Sequence, residues 1–160
     1  MTLSSFDLPV GRMTLRKARA DDVGAIVGLI ADDQLRASDD STEDLTRYLA
    51  AFAAVDADGA QLLLVAESPD GGIAATTQLT FIPGLARGGA TRMQIEAVRV
   101  RSDLRGNGLG AAMMMWAIGE ARRRGAGLVQ LTSDESRSAA HRFYERLGFS
   151  PTHIGFKLVL

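Results

Sequence analysis

Six segments of the chain combine apolar residues in alternation or in short runs, and each predicts a β-strand. The predicted strands are 12–18, 61–67, 73–82, 92–100, 128–133 and 153–160. The second and third are separated by Ser68-Pro-Asp-Gly-Gly72, a composition typical of a hairpin turn. A buried face is predicted for the first strand on Met13 and Leu15.

Four other segments place apolar residues three and four positions apart, which predicts amphipathic helices. Their apolar stripes are Val23, Ile26, Val27 and Ile30; Leu45, Tyr48, Leu49 and Phe52; Leu109, Met113, Trp116 and Ala117; and Ala140, Phe143, Tyr144 and Leu147. Asp21 and Asp22 begin the first helix, and Ser41 or Thr42 caps the second. Gly125 and Gly148 end the last two. The order β-α-α-β-β-β-α-β-α-β predicts one mixed α/β layer.

The length of 160 residues fits one domain, with 46% apolar and 23% charged residues. The formal net charge of −1 gives no basic field for nucleic acid or an anionic membrane, so neither is expected as a partner. The chain has no cysteine, which excludes disulfides, thiolate metal sites and a cysteine nucleophile. No metal-ligand spacing is found, so no metal is expected.

The first twelve residues precede a second Met-Thr-Leu, at Met13, which is an alternative start. We expect residues 1–12 to form a flexible arm and 13–160 to form the domain. No apolar run approaches the roughly 18–20 residues of a membrane span, and a signal-peptide pattern is absent at the first residues. These features favour a cytoplasmic location.

A glycine-rich loop precedes the third predicted helix, in the sequence Arg105-Gly-Asn-Gly-Leu-Gly110. A helix N-terminus offers unpaired N–H groups and about half a positive charge. Glycines allow positive φ, so that successive N–H groups converge, and they let an anion approach the backbone. Arg105 adds a planar cation suited to phosphate. The loop therefore predicts a phosphate-binding site.

Two common phosphate loops fit this sequence poorly. A Walker loop requires Gly-Lys-Ser/Thr, and the loop has no lysine. A dinucleotide-binding fold requires Gly-x-Gly-x-x-Gly early in a βαβ unit. Here the spacing is Gly-x-Gly-x-Gly, late in the chain and after a predicted antiparallel hairpin.

These motifs resemble those of the GCN5-related N-acetyltransferase (GNAT) family. The family signature Arg/Gln-x-x-Gly-x-Gly/Ala is found at Arg105, Gly108 and Gly110, and the motif Ala-x-x-Phe-Tyr-x-x-Leu-Gly-Phe is intact over 140–149. The order of elements is also similar from Met13 onward. The resemblance implies an acyl-CoA N-acyltransferase fold: a mostly antiparallel sheet flanked by helices, with splayed fourth and fifth strands.

The resemblance implies acetyl-CoA as co-substrate, with no metal. Its pantetheine arm would pair with the fourth predicted strand, and its pyrophosphate would lie on the amides of the glycine loop. The cofactor-binding residues implied in this way are Val98, Arg99, Val100, Arg105, Gly106, Asn107, Gly108, Leu109, Gly110 and Arg137. The family often has asparagine where this chain has Arg137, which puts the fine geometry of that contact in question.

Acetyl transfer to an amine needs a proton acceptor for the ammonium, a donor for the oxyanion and protonation of the departing thiolate. Tyr144 occupies the position of the family's thiolate-protonating tyrosine, and the alternative is a core aromatic residue. Glu96 is the candidate base, because strand alternation groups it with Gln94, Val98 and Val100 on one face. The alternative for Glu96 is an exposed or ion-paired residue beside Arg92 or Arg99.

Other polar residues are weaker candidates for a role in catalysis or in acceptor binding. Histidine is a common acid–base residue, so His141 and His153 are further candidates, but we expect a solvated surface position for His141. The acidic segment with Asp32, Asp33, Asp39 and Asp40 lies where family members shape the acceptor site, so it suggests a cationic amine; the alternative is a solvated connection.

The sequence thus predicts an N-acetyltransferase that moves acetyl from acetyl-CoA to a primary amine by direct transfer in a ternary complex. The acceptor is a small molecule or a peptide amine. The alternatives are a non-catalytic acyl-CoA sensor or regulatory module, and an unrelated nucleotide-binding domain. The resemblance also allows a homodimer through the sheet edge or the C-terminal strand.

Overall fold

The computed structural model describes residues 1–32 and 43–160. Its strands are β1 Thr2–Leu8, β2 Gly11–Lys17, β3 Gln61–Glu67, β4 Ile73–Ile82, β5 Arg92–Val100 and β6 Leu128–Leu131. Its helices are α1 Val23–Ala31, α2 Thr46–Ala57, the one-turn α3 Ala86–Gly89, α4 Leu109–Arg123 and α5 Ser138–Arg146. Short 3₁₀ turns precede α1 and the glycine loop. The described elements therefore match most of the predicted ones.

The six strands form one sheet in the order β1-β2-β3-β4-β5-β6. The first five are antiparallel neighbours, and β6 pairs in parallel with β5. This is the predicted mixed α/β architecture with a mostly antiparallel sheet.

Helices cover both faces of the sheet. On one face, α4 lies on the main core, where Met13, Leu64, Leu79 and Met113 are fully or almost fully buried. On the other face, α1 and α2 cover a smaller cluster around Val65. The long apolar stripe of α4 is therefore core, as the sequence indicated.

Two predictions at the chain ends are wrong. Thr2–Leu8 is not a flexible arm: it forms β1, which pairs antiparallel with β2. The connection between β1 and β2 is short, and the chain reverses at Gly11, where φ is +113°. Residues 153–160 do not form a strand in this structure; they have no regular secondary structure and are exposed.

A buried ion-pair network joins β2 to the start of α1. Arg16 donates to both carboxylate oxygens of Asp22, at 2.6 and 2.9 Å, and its Nε donates to Glu67 at 2.8 Å. Burial opposes ionisation of Asp22, but these hydrogen bonds and the Arg19 N–H outweigh it and lower the pKa of Asp22.

We expect Arg16→Met to lower the free energy of unfolding by about 3–5 kcal/mol, because it leaves Asp22 buried without its cation. Arg12→Met is the matched control, since the ion pair of Arg12 with Asp7, at 3.9 Å, is exposed, and its loss should cost less than about 1 kcal/mol. Urea unfolding measures both. Because the pKa of Asp22 is lowered in the folded state, its contribution is complete above the unfolded-state pKa and is lost as the pH falls through the folded-state value. Equal stability of the two variants would contradict the role of the network.

Candidate active site

Beyond the end of β6 the outer edge of β5 is open, and we call this open edge the groove. The two strands pair only from Arg92 to Ile95 on β5, and the last pair is Ile95 with Leu131. Beyond it, 96–100 continue along β4, but among the described residues no strand pairs with their other edge. The predicted splay of these two strands is therefore present. It leaves backbone groups of β5 accessible from the β6 side.

A β-bulge on β5 lies at the start of the divergence. Thr76 pairs with Arg99 and Gln78 with Glu96, so Thr77 alone faces Ala97 and Val98. Ala97 has a φ of +51°, a left-handed conformation that costs on the order of 1–3 kcal/mol for a residue other than glycine. The Thr77 hydroxyl donates to the Glu96 carbonyl at 3.2 Å and stabilises the bulge.

The bulge changes which side chains share a face. Val98 and Val100 pack against the main core together with Met93 and Ile95. Glu96 is exposed, and lies in register with Gln78 on the opposite face. The prediction that Glu96 shares a face with Val98 and Val100 is therefore wrong, because one extra residue shifts the alternation by one position.

The glycine loop lies at the N-terminus of α4. Gly106 and Gly108 have φ of +78° and +87°, and Gly108 is the N-cap residue. In the described part of the chain, the N–H groups of Gly106, Asn107 and Gly108 have no hydrogen-bond acceptor. The Asn107 side chain donates to the carbonyls of Leu104 and Arg105, so it closes the loop rather than pointing outward. This arrangement forms a concave set of donors at the positive end of a helix.

Gly110 lets three elements meet beside the groove. A Cβ atom at this position would lie 3.6 Å from Val100 Cγ2 and 3.6 Å from Phe143 Cζ. The end of β5, the first turn of α4 and α5 are thus in contact around one glycine. Leu109, 1% exposed, anchors the same turn in the core. The loop is therefore held rigidly against the end of β5.

Two arginines bond to the carbonyls at the end of β5. Arg105 Nε donates to Val100 O at 3.0 Å, and Arg99 Nη1 donates to Val98 O at 2.9 Å. Arg105 also pairs with Asp32 at 3.1 Å, with both side chains more than half exposed. An exposed pair of this kind contributes little, about 0–1 kcal/mol, so an anion can replace Asp32 at small cost.

Tyr144 lies on α5 beside the same core. Its ring makes edge contacts with Phe143 and Phe149, at centroid distances of 5.2 and 6.1 Å. Burial raises the pKa of the Tyr144 phenol, and the positive charges of Arg137 and Arg99 oppose that rise. The phenol is therefore protonated at neutral pH and can donate a hydrogen bond. Arg137, at the N-cap of α5, is half-buried on the same side.

Glu96 lies on a polar stretch of the opposite sheet face. Its side chain is exposed, which agrees with the predicted alternative of an exposed or ion-paired residue. Gln61 accepts from Gln78 and from Thr80, at 3.0 and 2.8 Å. Where β5 and β6 are still paired, Gln130 donates to Gln94 at 2.8 Å. Glu96 is thus the carboxylate beside a row of amides and a hydroxyl.

The remaining candidates take other positions. His141 is partly exposed, and its Nε2 lies 2.8 Å from Asp134 O, so it connects α5 to the preceding loop. His153 is exposed and bonds to Thr152. Asp33, Asp39, Asp40 and the predicted caps Ser41 and Thr42 lie outside the described residues.

Two further features are absent from the described residues. Within 1–32 and 43–160, no three His, Asp or Glu side chains cluster in a way that suits a metal ion. In the same ranges, no helix has the length and apolar character needed to cross a membrane.

Sequence reasoning missed three features of this site. These are the bulge at Ala97, the buried Thr77 hydroxyl below it and the contact of Asp32 with Arg105. The alternation of Gln and Thr on three neighbouring strands was a visible signal for the polar face. No local signal marks a left-handed alanine in a strand.

The chain is similar to acetyltransferases in sequence and in structure. The model of the Acetyltransferase (GNAT) family matches residues 25–149. An aminoalkylphosphonate N-acetyltransferase from Salmonella typhimurium is 37% identical over 67 residues, 42% of this chain. That match spans only 44% of the relative's own length.

Solved structures with the same fold include proteins of different description. A transcriptional regulator from Bacillus halodurans C-125 is 38% identical, with a TM-score of 0.88, over 92% of this chain and 99% of that one. A predicted acetyltransferase from Clostridium acetobutylicum, with acetyl-CoA, has a TM-score of 0.71 at 22% identity, over 92% of this chain and 96% of that one. At that identity the second likeness concerns the fold alone.

Proposed function

The chain belongs to the acetyltransferase (GNAT) family, and from this premise we propose that it moves the acetyl group of acetyl-CoA to a primary amine by direct transfer in a ternary complex. One observation supports the proposal most strongly. The groove lies beside a glycine loop whose N–H groups have no acceptor within the described residues. Acetyl-CoA is an extended molecule that carries a thioester and, farther along, a pyrophosphate. It therefore fits an open strand edge that lies beside a set of free N–H donors.

The residues of the loop fit a pyrophosphate. Gly106 and Gly108 hold backbone conformations that an L side chain would strain, and nothing lies within 4 Å of a Cβ atom built at Gly106. Arg105 sits beside them as an exposed guanidinium. We assign the phosphates to the N–H groups of 106–110 and to Arg105, with Arg137 as a further cation.

The open edge of β5 fits an amide-containing arm. The carbonyls of Val98 and Val100 accept hydrogen bonds from the side chains of Arg99 and Arg105. Both guanidinium groups sit on flexible stems, so an amide can take their place while Arg105 turns to a phosphate. This assigns Val98, Arg99 and Val100 to cofactor binding.

The proposed chemistry needs one acid and one base. Acetyl-CoA supplies an activated acetyl group as a thioester. Tyr144 would donate its phenolic proton to the departing thiolate, because burial keeps the phenol protonated. Glu96 would accept a proton from the ammonium of the acceptor, directly or through water. The chain has no cysteine to form a thioester with the enzyme, which agrees with direct transfer.

The acceptor class is a primary amine. The polar sheet face beside Glu96 suits an acceptor with further hydrogen-bonding groups, and the carboxylate suits a cationic amine. The Salmonella relative is an aminoalkylphosphonate N-acetyltransferase, so aminoalkylphosphonates belong in the first panel, together with small amines, amino acids and peptides.

Calorimetric titration of acetyl-CoA tests the proposed cradle. We expect Arg105→Ala to weaken binding about 10- to 100-fold, since a hydrogen bond to a charged group contributes about 1.5–3 kcal/mol. Arg123→Ala is the matched control, because Arg123 lies at the other end of α4 and bonds to Glu120. Equal affinity of the two variants, or a folded wild type without affinity for acetyl-CoA, would reject the cradle.

A second candidate function is a regulatory module that binds acyl-CoA without turnover. The 38% identity to a transcriptional regulator over 92% of this chain favours it. The two functions differ in one measurement: release of free CoA in the presence of the amine panel. Binding of acetyl-CoA without CoA release above the rate of hydrolysis would favour the regulatory module, and turnover with any amine would favour the enzyme.

A further inference from the structure

A second cleft lies at the end of α4 that is remote from the glycine loop. Its volume is about 450 Å³, and the C-terminal parts of α2 and α4 contribute to its walls. That volume is in the range of small-molecule pockets, about 300–1,000 Å³. The fifteen residues of α4 separate it from the loop, and at 1.5 Å per residue they span about 22 Å. The cleft is therefore distinct from the groove beside β5.

The floor of this cleft is apolar. Leu62 is buried there, and Leu3 and Trp116 are half-buried against the main core. Trp116 is also the single tryptophan of the chain. An apolar floor with a few polar groups around it is the usual composition of a small-molecule site, in which the polar groups select and orient the ligand.

The α4 side of the cleft carries an excess of positive charge. Glu120, 8% exposed, accepts two hydrogen bonds from Arg123, at 2.6 and 2.7 Å, and one from Arg124 at 2.7 Å. The bond from Arg123 lowers the pKa of Glu120, burial opposes this, and the bond from Arg124 adds to the lowering. The Arg124 guanidinium also lies 4.3 Å above the Phe81 ring, which holds it in place. One carboxylate between two fixed guanidinium groups leaves one positive charge for a ligand.

The α2 side of the cleft carries an excess of negative charge. Lys17 and Asp56 form an exposed ion pair at 3.7 Å, so their charges balance. Asp58, the C-cap residue of α2, adds a further carboxylate, and its Oδ1 accepts the N–H of Ala60 at 2.8 Å. The carbonyl groups at the C-terminus of a helix contribute a partial negative charge in the same place. This side therefore favours an ammonium group.

We propose that this cleft binds a zwitterion with an apolar side chain, of the class of the free amino acids, at a site separate from acetyl transfer. The ligand carboxylate meets Arg123 and Arg124, its ammonium meets Asp58, and its side chain covers Trp116 and Leu62. Three cationic and three acidic side chains line the cleft, so its charges balance as those of a zwitterion do. A ligand with one charge satisfies one side and desolvates the other without compensation.

Titration of L-leucine and L-phenylalanine into the chain of 160 residues gives the first test, followed by Trp116 fluorescence and by calorimetry. We expect saturable binding in both measurements, because the single tryptophan lies in the cleft. The N-acetyl and carboxamide analogues each lack one of the two charges, so they should bind at least about tenfold more weakly. No saturable binding of either amino acid up to about 10 mM, or equal affinity for the analogues, would overturn the proposal.

Gly59→Phe tests the position of the ligand. Gly59 lines the cleft without a positive φ, and no described atom lies within 4 Å of a Cβ atom built there. A phenylalanine should therefore fill the cleft without backbone strain and abolish binding. Gly28→Phe is the matched control, because Gly28 has the same open space on α1, and its affinity should stay within about twofold of the wild type.

Asp58→Asn tests the ammonium contact without filling the cleft. Asparagine keeps an oxygen for the Ala60 N–H and removes the charge, so binding should weaken about tenfold. Asp44→Asn is the matched control, since Asp44 accepts the N–H of Thr46 in the same way at the other end of α2. Unaltered affinity in both Gly59→Phe and Asp58→Asn would place the amino acid elsewhere, including the groove, and would overturn the proposal. These tests need neither acetyl-CoA nor turnover, so the outcome is independent of the enzymatic function.

Discussion

Tyr144→Phe is expected to reduce kcat about 100-fold while the affinity for acetyl-CoA changes less than threefold. The substitution removes the hydroxyl and keeps the ring, so the edge contacts with Phe143 and Phe149 persist. Proton donation by a positioned group contributes about 10²–10⁴-fold to rate, and a 100-fold loss corresponds to about 2.7 kcal/mol in the barrier. Steady-state kinetics with a responsive amine, together with calorimetry, separate the two effects.

The other tyrosine of the chain supplies the control. Tyr48 lies on α2, and Tyr48→Phe makes the same chemical change away from α5. Its kcat should stay close to that of the wild type. If Tyr144→Phe turned over equally fast, the phenol would be a core aromatic residue, and water or another donor would protonate the thiolate. An equal loss of affinity and rate would indicate a packing role.

Glu96→Gln is expected to lower kcat/KM about 10- to 100-fold at pH 7, because a carboxamide cannot take a proton from the ammonium. The defect should shrink as the pH rises toward the pKa of the acceptor, near about 10.4 for an alkylamine, since the amine then arrives already neutral. A pH profile of kcat/KM for both proteins measures this. Such a profile distinguishes a base from a residue that only shapes the site.

Glu145→Gln is the matched control for that profile. Glu145 is an exposed glutamate on α5, so the same change should leave kcat/KM unaltered at every pH. A loss in Glu96→Gln that is independent of pH would assign Glu96 to acceptor binding. Wild-type activity in Glu96→Gln would show that another group or water takes the proton.

The family and most of the elements could be predicted because they depend on local patterns. The glycine spacing in 105–110 sets backbone conformation and donor direction within six residues, and the structure has both Gly106 and Gly108 at positive φ. The helical spacing of Phe143, Tyr144 and Leu147 fixes one face of α5 against the core. Strand β5 has the predicted bounds, because its residues combine apolar character with β-branching.

The positions of side chains around the groove depended on the tertiary structure. Alternation along 92–100 grouped Glu96 with Val98 and Val100, whereas the bulge at Ala97 places them on opposite faces. A bulge forms when the partner strand and the Thr77 hydroxyl stabilise it, and neither is local to β5. The roles assigned to Tyr144 and Glu96 stay predictions until the kinetic tests are done.

The two ends of the chain also show the difference between strand character and strand pairing. By itself, the sequence determined which segments have strand character, including the alternation of 153–160, because that character is a property of consecutive residues. Only the tertiary structure decided which of them pair: Thr2–Leu8 joins β2 across a short turn, and 153–160 forms no strand. Each hydrogen bond between strands needs a partner group on another segment, which can be distant in sequence. The stability of a strand therefore depends on the fold and not on its own residues alone.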